Sequence, residues 1–198
     1  MSESDRDLWR RARADDAEAF ETLFERYAND VYNFCFRRTG SWSRAQDLVS
    51  DVFLDAWRKR ADTELTSPDL KLRPWLIGVA HNKIRNETKR GYRLRAALSR
   101  LNQRPIADFR DAVLDRVEDE QRMARLNDAV RNLPHPELDV LLLYAWGELQ
   151  YQEVADVLGI PVGTVRSRLA RARGRLRELD SAPVHELKEK PDVQEVHG

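Results

Sequence analysis

A single cysteine, Cys35, rules out any disulfide within one chain. It lies among Tyr32, Phe34 and Phe36, which marks a core position and not a reactive thiol. No apolar run approaches the roughly 20 residues that a membrane-spanning helix needs. The segment Met1 to Arg13 is charged and lacks the apolar stretch of a secretory signal. A cytoplasmic protein with no membrane insertion is expected. There are only four histidines, His81, His135, His185 and His197, and their positions show no metal-ligand spacing. A phosphate-cradling glycine loop and a nucleophile elbow are both missing. These absences point away from an enzyme and predict neither a metal nor a cofactor. Long β-branched alternating runs are missing as well, so an all-α fold is expected.

The formal net charge is zero, which would ordinarily argue against nucleic acid. The distribution of charge says otherwise. Residues 83–104 carry eight basic side chains and one acid, Glu87, and residues 162–177 carry six arginines and no acid. Residues 105–120 hold six acids against two arginines, and residues 178–198 hold six acids against two lysines. Two basic segments set apart by acidic ones imply two anion-binding surfaces.

Apolar residues at helical spacing predict a helix from Ala17 into Tyr27 and a second over Val31 to Arg38, stopping at Gly40. Ser43 is the expected N-cap of a third, with Ala45, Leu48, Val49, Val52, Phe53, Ala56 and Trp57 on one stripe. Thr63 to Leu72 reads as a loop around Pro68. Pro74 then suits the first turn of a fourth helix, whose apolar positions are Trp75, Leu76, Val79, Ala80 and Ile84. The spacing of Trp75 with Leu76 and Val79 assigns it to the core in preference to base stacking. Beyond Tyr92 the pattern weakens and the charge changes sign. The expected organisation is two small helical domains, 1–91 and 111–180, joined by a flexible linker over 92–110 and followed by a flexible tail over 181–198. The second domain should hold a helix through Leu133, breakers at Pro134 and Pro136, and a helix built on Leu138, Leu141, Leu142 and Tyr144 that ends at Gly147.

Residues 151–177 are the most informative. A short helix ends at Gly159, which can take the left-handed conformation a tight stop requires. Ile160 fills the turn and Pro161 opens the next helix, a helix-turn-helix arrangement. In the second helix Val165, Leu169, Ala172, Leu176 and Leu179 form the inward stripe, and Ser167 and Arg171 point the opposite way. Thr164, Arg166 and Arg168 flank that outward face near the helix start. Such a helix fits a major groove, where arginine can meet both acceptors of a guanine edge. Arg173, Arg175 and Arg177 are better placed for phosphates. Two further surfaces stand out. On the third helix Asp47, Ser50, Asp51 and Asp55 share an acidic flank suited to a basic partner. On the fourth, Lys83, Arg85, Lys89 and Arg90 supply phosphate-directed charge, and His81, Asn82 and Asn86 add polar groups able to meet bases.

The segment Leu149 to Leu179 resembles the second conserved domain of the extracytoplasmic-function (ECF) sigma factors, which reads the promoter's minus-35 element. Ala129-Val-Arg-Asn-Leu-Pro resembles the opening of that domain. The run of thirteen residues from Ala45 to Trp57 resembles the family helix that binds the clamp of core RNA polymerase. Pro74 to Asn86 resembles the helix that opens and holds the minus-10 element. The resemblance implies core contacts at Asp47, Ser50, Asp51 and Asp55. It implies minus-10 contacts at His81, Asn82, Lys83, Arg85, Asn86, Lys89 and Arg90, with the Thr63–Leu72 loop capturing a flipped base. It implies minus-35 contacts at Thr164, Arg166, Ser167, Arg168, Arg171, Arg173 and Arg175. The family commonly has glutamine at the place of Ser50, arginine at that of His81 and aspartate at that of Asn86, so the last two predict an altered sequence preference. Core polymerase, promoter DNA and an anti-sigma factor are the implied partners. Read without the family, the residues leave open a helix-turn-helix repressor or activator on duplex DNA, or a helical adaptor.

Overall fold

The computed structural model describes residues 3–63, 71–98, 119–121, 123, 127, 130 and 133–181, with no strand among them. The inner part of the Thr63–Leu72 loop, most of the linker and the tail lie outside the described residues, as do the side chains of 89–98 and 178–181.

The first half holds α1 (Asp5–Arg13), α2 (Ala17–Thr39), α3 (Trp42–Lys59) and α4 (Leu72–Leu98). Helix α1 occupies a segment that charge alone had marked only as polar. Ser4 caps it by accepting from the Asp7 N–H, Asp5 and Asp7 sit in its first turn, and Arg10, Arg11 and Arg13 sit in its last. That order complements the helix dipole. Leu8, Trp9 and Ala12 bury its inner face, and Trp9 meets Trp75 edge-on with ring centroids 5.5 Å apart.

Helix α2 is continuous where two helices were expected. Ala28-Asn29-Asp30 contains no glycine or proline to break it, and Asp30 is held through its carboxylate, 2.6 Å from Arg73 Nε of α4. The helix ends where expected, at Gly40, whose φ of 65° only glycine adopts at little cost. The cap of α3 is Ser41, not Ser43: its hydroxyl accepts from the Arg44 N–H. A chain leaving the left-handed Gly40 reaches extended geometry at Ser41, and Ser43 falls inside the first turn. Ala45, Leu48, Val49, Val52, Phe53 and Ala56 face inward as the stripe predicted. Phe34 and Leu48 are fully buried, and each such side chain removed from water contributes about 1.5–3 kcal/mol. Cys35 is buried with them, which pushes its thiol pKa up to about 12.

The second half holds α5 (His135–Ala145), α6 (Tyr151–Leu158) and α7 (Val162–Ser181). Glycine is required at 147, where an added Cβ would stand 2.6 Å from the Leu143 carbonyl oxygen. Gly159 takes φ 64° and donates its N–H to the Ala155 carbonyl, closing α6 as the turn chemistry predicted. Pro161 stands just before α7, its carbonyl accepting from Thr164 and Val165. Val165, Leu169 and Ala172 are buried, and Leu176 packs beside them.

The halves are docked. One apolar cluster runs from Leu72, Ile77 and Ala80 of α4 through Val140, Leu143 and Val154 to Val165 and Leu169. A Cβ placed on Gly78 would stand 3.0 Å from Val157 Cγ1 of α6. Lys71 pairs with Glu153 at 2.8 Å and Arg37 with Glu148 at 2.9 Å. Asn127 donates its Nδ2 to the Arg37 carbonyl at 3.0 Å.

Candidate polymerase and nucleic-acid interfaces

Helix α3 is packed on one side by α2 and α4, so its other side faces outward. Asp47, Ser50 and Asp51 are exposed there. Asp47 lies 3.7 Å from Arg44, and Ser50 donates its hydroxyl to the Gln46 carbonyl. Asp55 is half-buried and pairs with Lys83 of α4 at 2.7 Å, which takes both groups partly out of the sets expected to face partners. Leu54, absent from the expected set, is 45 % exposed and lies one turn from Ser50 and Asp51. Phe24 of α2 is 40 % exposed against Phe53. The acidic flank therefore carries an apolar element. The signal was present in the sequence: Leu54 falls off the inward stripe of α3.

On α4 the expected set divides. Asn82 and Asn86 are exposed one turn apart, with no hydrogen-bond partner among the described residues. Arg85 is half-exposed. The side chains of Lys89 and Arg90 lie outside the described residues. His81 is not on that face. It is 1 % exposed and turned toward α5, with Nε2 3.2 Å from Asp139 Oδ1. Arg85 Nε approaches the same carboxylate at 3.6 Å. Burial pushes the Asp139 carboxyl up, but His81, Arg85 and Arg38 outweigh it and hold it below the usual carboxylate range. The contribution of this group to the docked fold is thus full above the ordinary carboxylate pKa and lost as pH falls through the lowered one.

On α7 Arg166, Ser167, Arg171, Arg173 and Arg175 are exposed, and Thr164 and Arg168 are half-buried. Ser167 donates its hydroxyl to the Thr164 carbonyl at 3.1 Å. Arg166 sits over the Tyr151 ring at 5.9 Å and Arg173 over the Tyr144 ring at 5.3 Å. Arg171 and Arg175 both approach Glu137 of α5, at 3.6 and 3.0 Å. That carboxylate did not figure in the expected sites. The structure thus brings together seven groups on α7, two of them, Arg171 and Arg175, also tied to α5, with three on α3 and two on α4, and sends His81, Asp55, Lys83 and Arg85 into contacts between elements.

The family model for Sigma-70 region 2 matches residues 23–94, and that for Sigma-70 region 4 matches residues 123–176. The first covers α3 and the described face of α4, the second the helix-turn-helix. The chain is 32 % identical over 146 residues to the RNA polymerase sigma factor HrpL of Pseudomonas syringae pv. syringae, covering 73 % of this chain and 78 % of that one. It is 29 % identical to the ECF RNA polymerase sigma factor SigW of Bacillus subtilis, over 82 % of this chain and 89 % of SigW. Among solved structures it is similar to CnrH in complex with the cytosolic domain of CnrY, with a TM-score of 0.65 and 26 % identity over 89 % of this chain and 97 % of that one. No described helix is long and apolar enough to cross a membrane. The chain belongs to the ECF sigma factors, and its function is to direct promoter-specific initiation by RNA polymerase.

Proposed function

We propose that the work is divided among three helices: α3 binds core polymerase, α4 holds the opened minus-10 element and α7 reads the minus-35 element. The two domains are residues 1–91 and 111–180, joined through 92–110, although α4 runs on as helix through Leu98 and so takes the first seven residues of that join, and the protein acts in the cytoplasm with no catalysis of its own. The observation that carries this reading is the separation of three exposed polar faces on the helices that match regions 2 and 4. A sigma factor opens DNA without ATP by differential binding. It holds the unstacked strand better than the duplex, offsetting the few kcal/mol that flipping a base costs. A duplex-only repressor would need α7 but has no use for the faces of α3 and α4. An anti-sigma factor is the expected regulator, and the CnrH relative was itself solved with a bound polypeptide.

Run-off transcription with purified core polymerase and a promoter panel tests the whole reading. The parent should yield a promoter-specific transcript. Asp47→Arg with Asp51→Arg should weaken core binding about tenfold or more, since each reversal sets like charge against a basic partner. Fluorescence anisotropy with core measures this. Parent-like affinity in the folded variant would remove α3 from the interface.

Base reading and phosphate contact separate on α7. Arg171→Ala should cost about 1–3 kcal/mol on the matched minus-35 sequence and relax the preference at one position. Arg175→Ala should weaken all sequences alike and flatten the salt dependence by about one counterion. Binding curves on matched and singly substituted duplexes decide between these roles.

A further inference from the structure

Six arginines lie between 166 and 177 with no acid among them. Free arginine side chains sample many rotamers, and ordering them on DNA consumes binding energy. Two of the six, Arg171 and Arg175, share one carboxylate outside their own helix. Glu137, only 6 % exposed, lies in the first turn of α5 directly after Pro136. Its Oε1 stands 3.6 Å from Arg171 Nε, and its Oε2 stands 3.0 Å from Arg175 Nε. Both contacts are ion pairs approached from Nε, and Glu137 Oε2 is left with no hydrogen-bond partner among the described residues. The two arginine side chains remain 60 % and 54 % exposed. Arg171 and Arg175 are one turn apart, so a single carboxylate fixes the spacing of the pair. The cluster keeps a net positive charge, since one acid meets two cations, yet it attracts phosphate less than two free arginines would.

We infer that Glu137 is a positioning residue for promoter reading: it presents Arg171 and Arg175 to the minus-35 duplex in set geometry, and raises sequence discrimination while lowering generic phosphate affinity. This rests on the docking proposed for α7. A merely structural tie between α5 and α7 predicts something different, namely equal weakening on every duplex together with a lower melting temperature.

The test uses Glu137→Gln and Glu137→Asp in the full chain. Holoenzyme is titrated over a salt series with two promoters that differ only in a matched or scrambled minus-35 element. Glu137→Gln should tighten the scrambled complex about threefold or more and steepen its salt slope by about one. The ratio of matched to scrambled affinity should fall about fivefold or more. Glu137→Asp keeps the charge and should recover most of that ratio. In the free full chain, 15N relaxation at Nε should show Arg171 and Arg175 more ordered in the parent than in Glu137→Gln. Parent side chains as mobile as those of Glu137→Gln would overturn the anchor. An unchanged ratio, or equal weakening of both promoters, would overturn its role in discrimination. If the anchor is present but the parent itself does not distinguish the two promoters, the α7 docking fails and takes the role of Glu137 with it.

Discussion

A chain carrying Gly78→Cys and Val157→Cys should lose promoter-directed transcription by about a hundredfold when oxidised, because under one per cent of it could reach an open state, and should regain it on reduction. The Cβ built on Gly78 lies 3.7 Å from Val157 Cβ, inside the roughly 3.5–4.5 Å that a disulfide prefers. Replacing Val157 also removes the two methyl carbons that crowd position 78. The buried Cys35 thiol, with its pKa near 12, does not compete. The reason for the loss is distance. The minus-10 and minus-35 elements lie about 25 base pairs apart, about 85 Å of duplex at 3.4 Å per pair. In the docked arrangement α4 touches α6, and α7 is the next helix over. At about 8–10 Å between packed helices, the two reading faces stand within about 20–30 Å of each other. Both elements can be occupied at once only if the halves part. Non-reducing gels quantify the cross-link, run-off transcription reads the activity, and each single-cysteine variant is the control. Full activity from the cross-linked chain would mean that docking of the halves is compatible with initiation.

Docking explains where sequence reasoning stopped. The helices were legible because each is specified locally. The inward stripes of α3 and α7 repeat at helical spacing, and Gly40 and Gly159 mark ends that need left-handed backbone. Where competing local signals existed, the resolution was also local. Ser41 and Ser43 are both fair caps, and the geometry leaving Gly40 selects the first. Asn29 and Asp30 weaken a helix without breaking it, so α2 continues. Helix α1 was hidden because its three buried residues, Leu8, Trp9 and Ala12, sit in a segment dominated by charge. Their spacing together with Ser4 was the missed signal. The site contacts were harder because they join residues far apart in the chain. Nothing near His81 announces Asp139, 58 positions later, and nothing near Arg171 announces Glu137 on another helix. A polar residue on α4 looks alike in sequence whether it meets DNA or a buried carboxylate. Only the packing of α5 against α4 separates His81 from Asn82 and Asn86.

That separation gives the asparagines a sharp expected effect. Holoenzyme should render minus-10 thymines reactive to permanganate without ATP, and Asn82→Ala with Asn86→Ala should remove most of that reactivity while leaving upstream duplex footprints near parental. Both side chains are exposed one helical turn apart and have no partner among the described residues, so truncating them costs the fold little. Each carboxamide offers donors and acceptors together, which suits the edge of an unpaired base. Lost hydrogen bonds that leave base groups unpaired cost about 1–3 kcal/mol each. For two residues the opening equilibrium should therefore fall by about a factor of thirty to tens of thousands at full loss of both contacts. Closed-complex binding should hardly change, because duplex DNA does not present those edges to α4. Both signals are read on one promoter, with footprinting upstream and permanganate downstream. Equal loss of the two would indicate misfolding or failed docking. Parental reactivity in the double variant would exclude the asparagines from strand capture and pass that role to the loop between Thr63 and Leu72.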